Sequence, residues 1–98
     1  MRGMKDGYVY VMSNRPNGTL YVDVTVDVLR RVYEHRVRAV AGFTQRHGLT
    51  RLVYFERHED IVSAIQRERA IKGWNRAWKV RLIQRLNPEW EDLYPSLL

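Results

Sequence analysis

The 98-residue chain has no cysteine, which excludes disulfides and thiolate metal sites. Nowhere does an apolar run approach the roughly 18 residues that a membrane-crossing helix needs. Residues 1–6 lack the apolar centre of a signal peptide. The expectation is therefore a cytoplasmic protein with no membrane partner. Three prolines and six glycines are too few and too scattered to mark a linker, and no repeat or low-complexity segment stands out. Basic residues are also missing from one place: none lies beyond Arg85.

What the chain does have is positive charge. Lys and Arg number 17 against 11 Asp and Glu, for a net +6 and a pI near 10.1. Most of these bases are arginine, whose planar fork grips phosphate with two hydrogen bonds at once. All of them precede an acidic tail at about 87–98 that carries Glu89, Glu91 and Asp92. A basic body of this kind fits a polyanionic partner. With 45% hydrophobic and 29% charged residues, the composition is that of a globular protein. The length suits a single domain over 1–98.

Residues 7–12 and 19–26 read as strands around Asn14-Arg15-Pro16-Asn17-Gly18, a dense group of turn formers, so the pair predicts a hairpin. Alternation assigns Val9, Val11, Leu20, Val22, Val24 and Val26 to a core face. Tyr8, Tyr10, Tyr21 and Asp23 then fall on the opposite face, together if the strands pair in register. Asp27 is a good N-cap for a helix to about Arg38, with an apolar stripe of Leu29, Val32, Tyr33 and Val37. Residues 39–50, which include Gly42 and Gly48, read as a loop. Arg51–Arg57 reads as a third strand and Asp60–Lys72 as a second helix closed by Gly73. A third helix opens at Asn75 or Arg76 and ends before Asn87-Pro88. Trp74, Trp78 and Trp90 are assigned to packing. The order ββαβαα gives an α+β fold, a small three-stranded, largely antiparallel sheet with flanking helices.

Several residues could carry chemistry. Glu68 interrupts the apolar stripe Ile61, Ala64, Ile65 and Ile71, and a carboxylate there must be paired or bound. A salt bridge to Lys72 or an arginine satisfies that need, and so does a metal ion. Arg31 and His35 are four apart and therefore neighbours on the helix surface, where they could clamp a phosphate, the imidazole also being able to move a proton. Tyr10 and Tyr21 are packing residues or reactive phenols. A phenol titrates near 10 and acts as a base at neutral pH only if a cation lowers that value. His47 and His58 have no partner at metal-ligand spacing and read as surface residues.

The series YVYVM, LYVDVT, DVLRRVYEHR and RERAIKGW resembles the GIY-YIG nuclease superfamily, in particular its small stand-alone bacterial branch. GFTQRHG, RLVYFE, WKVRLI and NPEWEDLYP fit that branch too, so the resemblance spans nearly the whole chain. It implies an endonuclease that hydrolyses DNA phosphodiesters with a divalent ion, Mg²⁺ or Mn²⁺. Tyr10 and Tyr21 would match the motif tyrosines, Arg31 the arginine on the scissile phosphate, His35 the histidine one turn later, and Glu68 the metal ligand. Arg30, Arg38, Arg46 and Lys72 are the accompanying candidate nucleic-acid contacts. The implied partner is DNA, branched or damaged, ahead of RNA.

Two positions depart from the motif. Tyr8 stands where the first element has glycine, and Asp23 where the second does. A carboxylate at position 23 repels phosphate and raises the pKa of a nearby phenol, which weakens it as a base. Three outcomes are open at Asp23: impaired cleavage, a second metal ligand, or a side chain turned to solvent. A catalytically impaired nucleic-acid-binding module and a basic RNA-associated protein are thus the alternatives to an active nuclease.

Overall fold

A computed structural model describes residues 5–39 and 42–98. Strands β1 (Gly7–Ser13) and β2 (Leu20–Thr25) lead into helix α1 (Val28–Arg36) and a short helix α2 (Phe43–His47). Strand β3 (Arg51–His58) and helices α3 (Ile61–Gly73) and α4 (Arg76–Leu86) follow, with a final 3₁₀ turn at Tyr94–Leu97. The sheet order is β2-β1-β3, antiparallel throughout. The expected α+β architecture is present, with one helix more than ββαβαα.

Local chemistry explains the boundaries. In the hairpin turn the Gly18 amide donates to the Arg15 carbonyl at 2.9 Å, and the Thr19 amide donates to Asn14 Oδ1 at 3.0 Å. Asp27, Asp60 and Asn75 cap α1, α3 and α4, each accepting a backbone amide of the first turn. Gly73 is the last residue of α3 instead of its cap, because Trp74 leaves the helix in an extended conformation. The helix α1 ends at Arg36, two residues short of the expected Arg38, which adopts φ 57°. The supposed loop 39–50 contains α2, whose two flanking glycines have φ of 100° and 64°. Residues 40–41 of that stretch lie outside the described residues.

Strand β1 is central and is buried on both faces. Val9, Val11 and Val22 pack with Ala64 and Ile71 of α3, Leu82 and Ile83 of α4, and Trp90. Tyr10 and Met12 pack with Val28 and Val32 of α1, and with Leu49 and Leu52. The tyrosine face is therefore a second core, and Tyr10 is packed within it. Gly7 matters at the start of β1, since a Cβ there would lie 2.6 Å from the Ala64 Cβ. Helix α3 consequently sits tight on the sheet.

Three apolar assignments are corrected. Val26 lies past the end of β2 and is exposed. On α1 the buried positions are Val28, Val32 and His35, while Leu29, Tyr33 and Val37 face out. Trp90 is buried as expected and Trp74 is half-buried, but Trp78 is 51% exposed. The acidic C-terminal segment is tied to the body. Asn87 Nδ2 donates to the Val53 carbonyl at 3.0 Å, Asp92 Oδ1 accepts the Leu52 amide at 3.2 Å, and Asp92 pairs with Arg36.

Candidate active site

The α1 face of the sheet holds a polar chain inside an apolar cluster. The Tyr10 hydroxyl lies 3.0 Å from His35 Nε2, and His35 Nδ1 lies 3.1 Å from Thr44 Oγ1. Three elements build this chain: β1 supplies the tyrosine, α1 the histidine and α2 the threonine. His35 is only 2% exposed. Burial lowers its pKa, and the neighbouring Arg31 charge lowers it further. The imidazole is therefore neutral at pH 7, with one nitrogen donating and the other accepting. Hydroxyls at both ends can complement either tautomer.

This placement changes the role open to His35. It is too enclosed to clamp a phosphate beside Arg31, and the Tyr10 that it bonds is fully buried as well. Thr44 is the residue that sequence reasoning missed. Its signal was the pair Gly42 and Gly48, which bracket a helix short enough to resemble a loop.

Tyr21 and Asp23 lie beside this chain on β2. Asp23 is paired across the sheet with Tyr10, and Tyr21 with Met12, so the expected sharing of one face holds. The Tyr21 hydroxyl donates to Asp23 Oδ2 at 2.8 Å, and Asp23 Oδ1 accepts the Val24 amide at 2.8 Å. Asp23 is thus bonded within the cluster and is not turned to solvent. The Tyr21 ring lies edge-on to His35, with centroids 5.6 Å apart, and is stacked at 6.4 Å on Phe43 of α2.

Both phenols hold their protons strongly. Tyr21 is pushed up to about 12, first by burial and then by the hydrogen bond and charge of Asp23. Burial and the Asp23 charge also raise Tyr10, while Arg31 pulls it down. Arg31 is itself raised despite the opposing effect of burial, through its contacts with Tyr10 and Glu34, and it donates to Glu34 Oε1 at 3.2 Å. A cleft of about 260 Å³ lined by Asp27, Arg30, Arg31 and Glu34 lies alongside it.

Glu68 is buried to 6% exposure on α3, on the other side of the sheet from α1. Its charge still reaches far enough to raise the Tyr21 phenol. Lys72 Nζ lies 2.5 Å from Glu68 Oε2, so the salt bridge expected as one alternative is formed. Among the described residues, no three His, Cys, Asp or Glu side chains converge as a metal cage. Glu68 supplies one buried carboxylate. That donor set fits Mg²⁺ or Mn²⁺, ions that keep several waters and take further oxygens from substrate phosphate.

The other candidate bases are spread around this centre. Arg30 pairs loosely with Glu34 at 3.4 Å, Arg38 and Arg46 are exposed near α2, and Lys72 is engaged with Glu68. His47 is exposed beside Phe43, with centroids 4.3 Å apart. His58 is not a free surface residue, since its Nε2 lies 2.6 Å from Glu56 Oε2.

An antiparallel three-stranded sheet flanked by helices, with tyrosine, arginine and histidine gathered on one face, defines the class: a small α+β domain. The GIY-YIG catalytic domain matches residues 6–81, and the chain belongs to that family. Family membership brings a nuclease-type function with nucleic acid as substrate, and GIY-YIG nucleases generally use divalent metals. The UPF0213 protein of Natronomonas pharaonis is 42% identical over 78 residues, which cover 80% of this chain and 91% of that protein. A UPF0213 protein of Syntrophus aciditrophicus is 33% identical over 87 residues, covering 88% and 98%. The solution NMR structure of a UPF0213 protein from Bacillus halodurans matches with a TM-score of 0.56 at 28% identity, covering 89% and 92%.

Proposed function

We propose that the protein is a divalent-metal-dependent endonuclease that hydrolyses DNA phosphodiester bonds with structure selectivity. The observation that carries this reading is the meeting of Tyr10, Tyr21, Arg31 and His35 on one sheet face within electrostatic reach of a buried carboxylate. Few elements of so small a body could read bases, which favours recognition of branched or damaged DNA over long sequences.

Arg31 binds the scissile phosphate and balances charge that builds on its oxygens. For this it must exchange its contact with Glu34, a partly exposed pair that holds it weakly. Tyr21, protonated at neutral pH, donates a hydrogen bond to Asp23 and offers its oxygen lone pair to orient the attacking water. Tyr10, itself fully buried, acts through its contacts with His35 and Arg31, holding the guanidinium in place for the phosphate. Glu68 would hold the divalent ion, which supplies Lewis-acid stabilisation of the phosphate. Lys72 must then release the carboxylate, and its own exposure makes that release inexpensive.

A second reading has a specific observation behind it. The Tyr21–Asp23 hydrogen bond and the raised phenols favour a module that binds nucleic acid and cleaves it slowly. Plasmid or branched DNA incubated with Mg²⁺ or Mn²⁺ tests both. Metal-dependent nicking that Glu68→Ala abolishes supports the nuclease. Binding without any metal-dependent product on DNA or RNA removes the nuclease and leaves the binding module.

A further inference from the structure

Away from the tyrosine cluster, helices α3 and α4 form a groove of about 260 Å³ lined by Arg67, Trp74, Trp78, Arg81, Leu82 and Arg85. Its composition is unusual for a surface. Trp78 is half-exposed, and its ring meets Trp74 edge-on with centroids 6.1 Å apart. The Arg67 guanidinium lies 5.3 Å from the Trp74 ring centroid and is anchored by Glu56 at 3.0 Å, which holds the floor of the groove in place. Trp78, Arg81 and Arg85 follow helical spacing along one side of α4. Among the described residues, Arg81 and Arg85 have no ion pair or side-chain hydrogen bond.

We propose that this groove is a binding site for unpaired nucleotides, with a base stacked on Trp78 and the flanking phosphates held by Arg81 and Arg85. A flat indole left in solvent beside two unpaired guanidinium groups suits a ligand with both π-faces and negative charge. Single-stranded nucleic acid has that combination, whereas in a duplex the bases are stacked on each other and only phosphate is presented. A second copy of the chain is disfavoured by charge. Helix α4 carries Arg76, Lys79, Arg81 and Arg85 and no acid, and a symmetric dimer would set that helix against itself. An acidic peptide would answer the arginines but leave the indole face unused.

The groove extends the proposed function, because a nuclease selecting branched or damaged DNA needs a place for the unpaired strand. It rests on nucleic acid being the partner, and it does not depend on cleavage at Glu68. The test is tryptophan fluorescence titrated with an oligo-dT strand and, separately, a blunt duplex, both in EDTA so that no cleavage occurs. Buried Trp90 supplies a constant background.

The strand is expected to quench the fluorescence and the duplex to quench it far less. Trp78→Ala should weaken oligo-dT binding by roughly ten-fold or more. The double variant Arg81→Ala/Arg85→Ala should reduce the logarithmic salt slope by about 0.7 per lost phosphate contact. Unchanged oligo-dT affinity in both variants overturns the proposal. So does equal quenching by duplex, or a self-association that Trp78→Ala abolishes while no strand binds. Metal-dependent nicking without oligo-dT quenching removes the groove alone, and quenching without nicking removes the nuclease reading alone.

Discussion

The two faces of strand β1 are buried equally and built oppositely. On the α3 side, Val9 and Val11 meet Ala64, Ile71 and Ile83, with Tyr54 and Trp90 in the same cluster. On the α1 side, Tyr10 and Met12 meet Val28 and Val32, with His35 and Thr44 placed among them. The first face adds to its apolar area the Tyr54–Glu56 hydrogen bond and the Glu68–Lys72 pair. The second must also complete every hydrogen bond, since a buried donor or acceptor left unpaired costs about 1–3 kcal/mol. Tyr10, Tyr21, Arg31 and His35 gather on one side and Glu68 lies on the other, with edge strand β2 adjoining both.

Truncation should separate the faces. Ile71→Ala removes fully buried methylene groups and is expected to destabilise by about 2–5 kcal/mol, read from urea unfolding. Tyr10→Phe keeps the ring and removes one hydroxyl, so about 1–3 kcal/mol is expected from leaving His35 Nε2 unpaired. If Tyr10→Phe is as damaging as Ile71→Ala, the division between the faces is wrong. Glu68→Ala should do the reverse of Ile71→Ala. Metal-dependent nicking should fall by about 100-fold or more, while stability changes little, because the lost partner Lys72 is half-exposed.

A weaker effect comes from pH. His35 has a folded pKa below its ordinary 6.5, so the unfolded chain binds the proton more readily. The stability contributed by the neutral ring is complete above 6.5 and is lost as pH falls below it. Unfolding midpoints measured on both sides of that value should show the slope, and His35→Asn should flatten it. The valine face should show a separate loss of stability at more acidic pH, because Glu56, despite its burial, is held below its ordinary 4.5 by Tyr54, His58 and Arg67.

Much of this division is visible in the sequence. Alternation places Tyr10, Tyr21 and Asp23 together because the side-chain period of a strand is fixed by its geometry. Glu68 stands out because a carboxylate in an apolar helical stripe has few permitted states, and the salt bridge with Lys72 is one that was anticipated. The orientation of α1 was not legible. Of the expected stripe Leu29, Val32, Tyr33 and Val37, the helix buries only Val32, together with Val28 and His35. Periodicity counts only the helix's own residues, whereas the sheet offers a buried hydroxyl that a histidine can satisfy. Helix α2 was hidden for a related reason: glycines suggest a loop, and here they are the caps of one short helix.

The smallest effect expected is also the one that bears most on Asp23. Asp23→Asn keeps an acceptor for the Tyr21 hydroxyl and removes the charge, whereas Asp23→Gly removes both. If the charge is what restrains the site, Tyr21 should titrate below its present value of about 12 in either variant, as followed by phenolate absorbance. Nicking should then rise by roughly ten-fold or less in both, consistent with about one unit of pKa or 1.4 kcal/mol. A gain confined to Asp23→Gly points instead to close backbone approach of the substrate, which any side chain at this position would obstruct. A loss in both variants shows that Asp23 serves the reaction by fixing the Tyr21 proton, as Glu56 fixes that of Tyr54 on the other face.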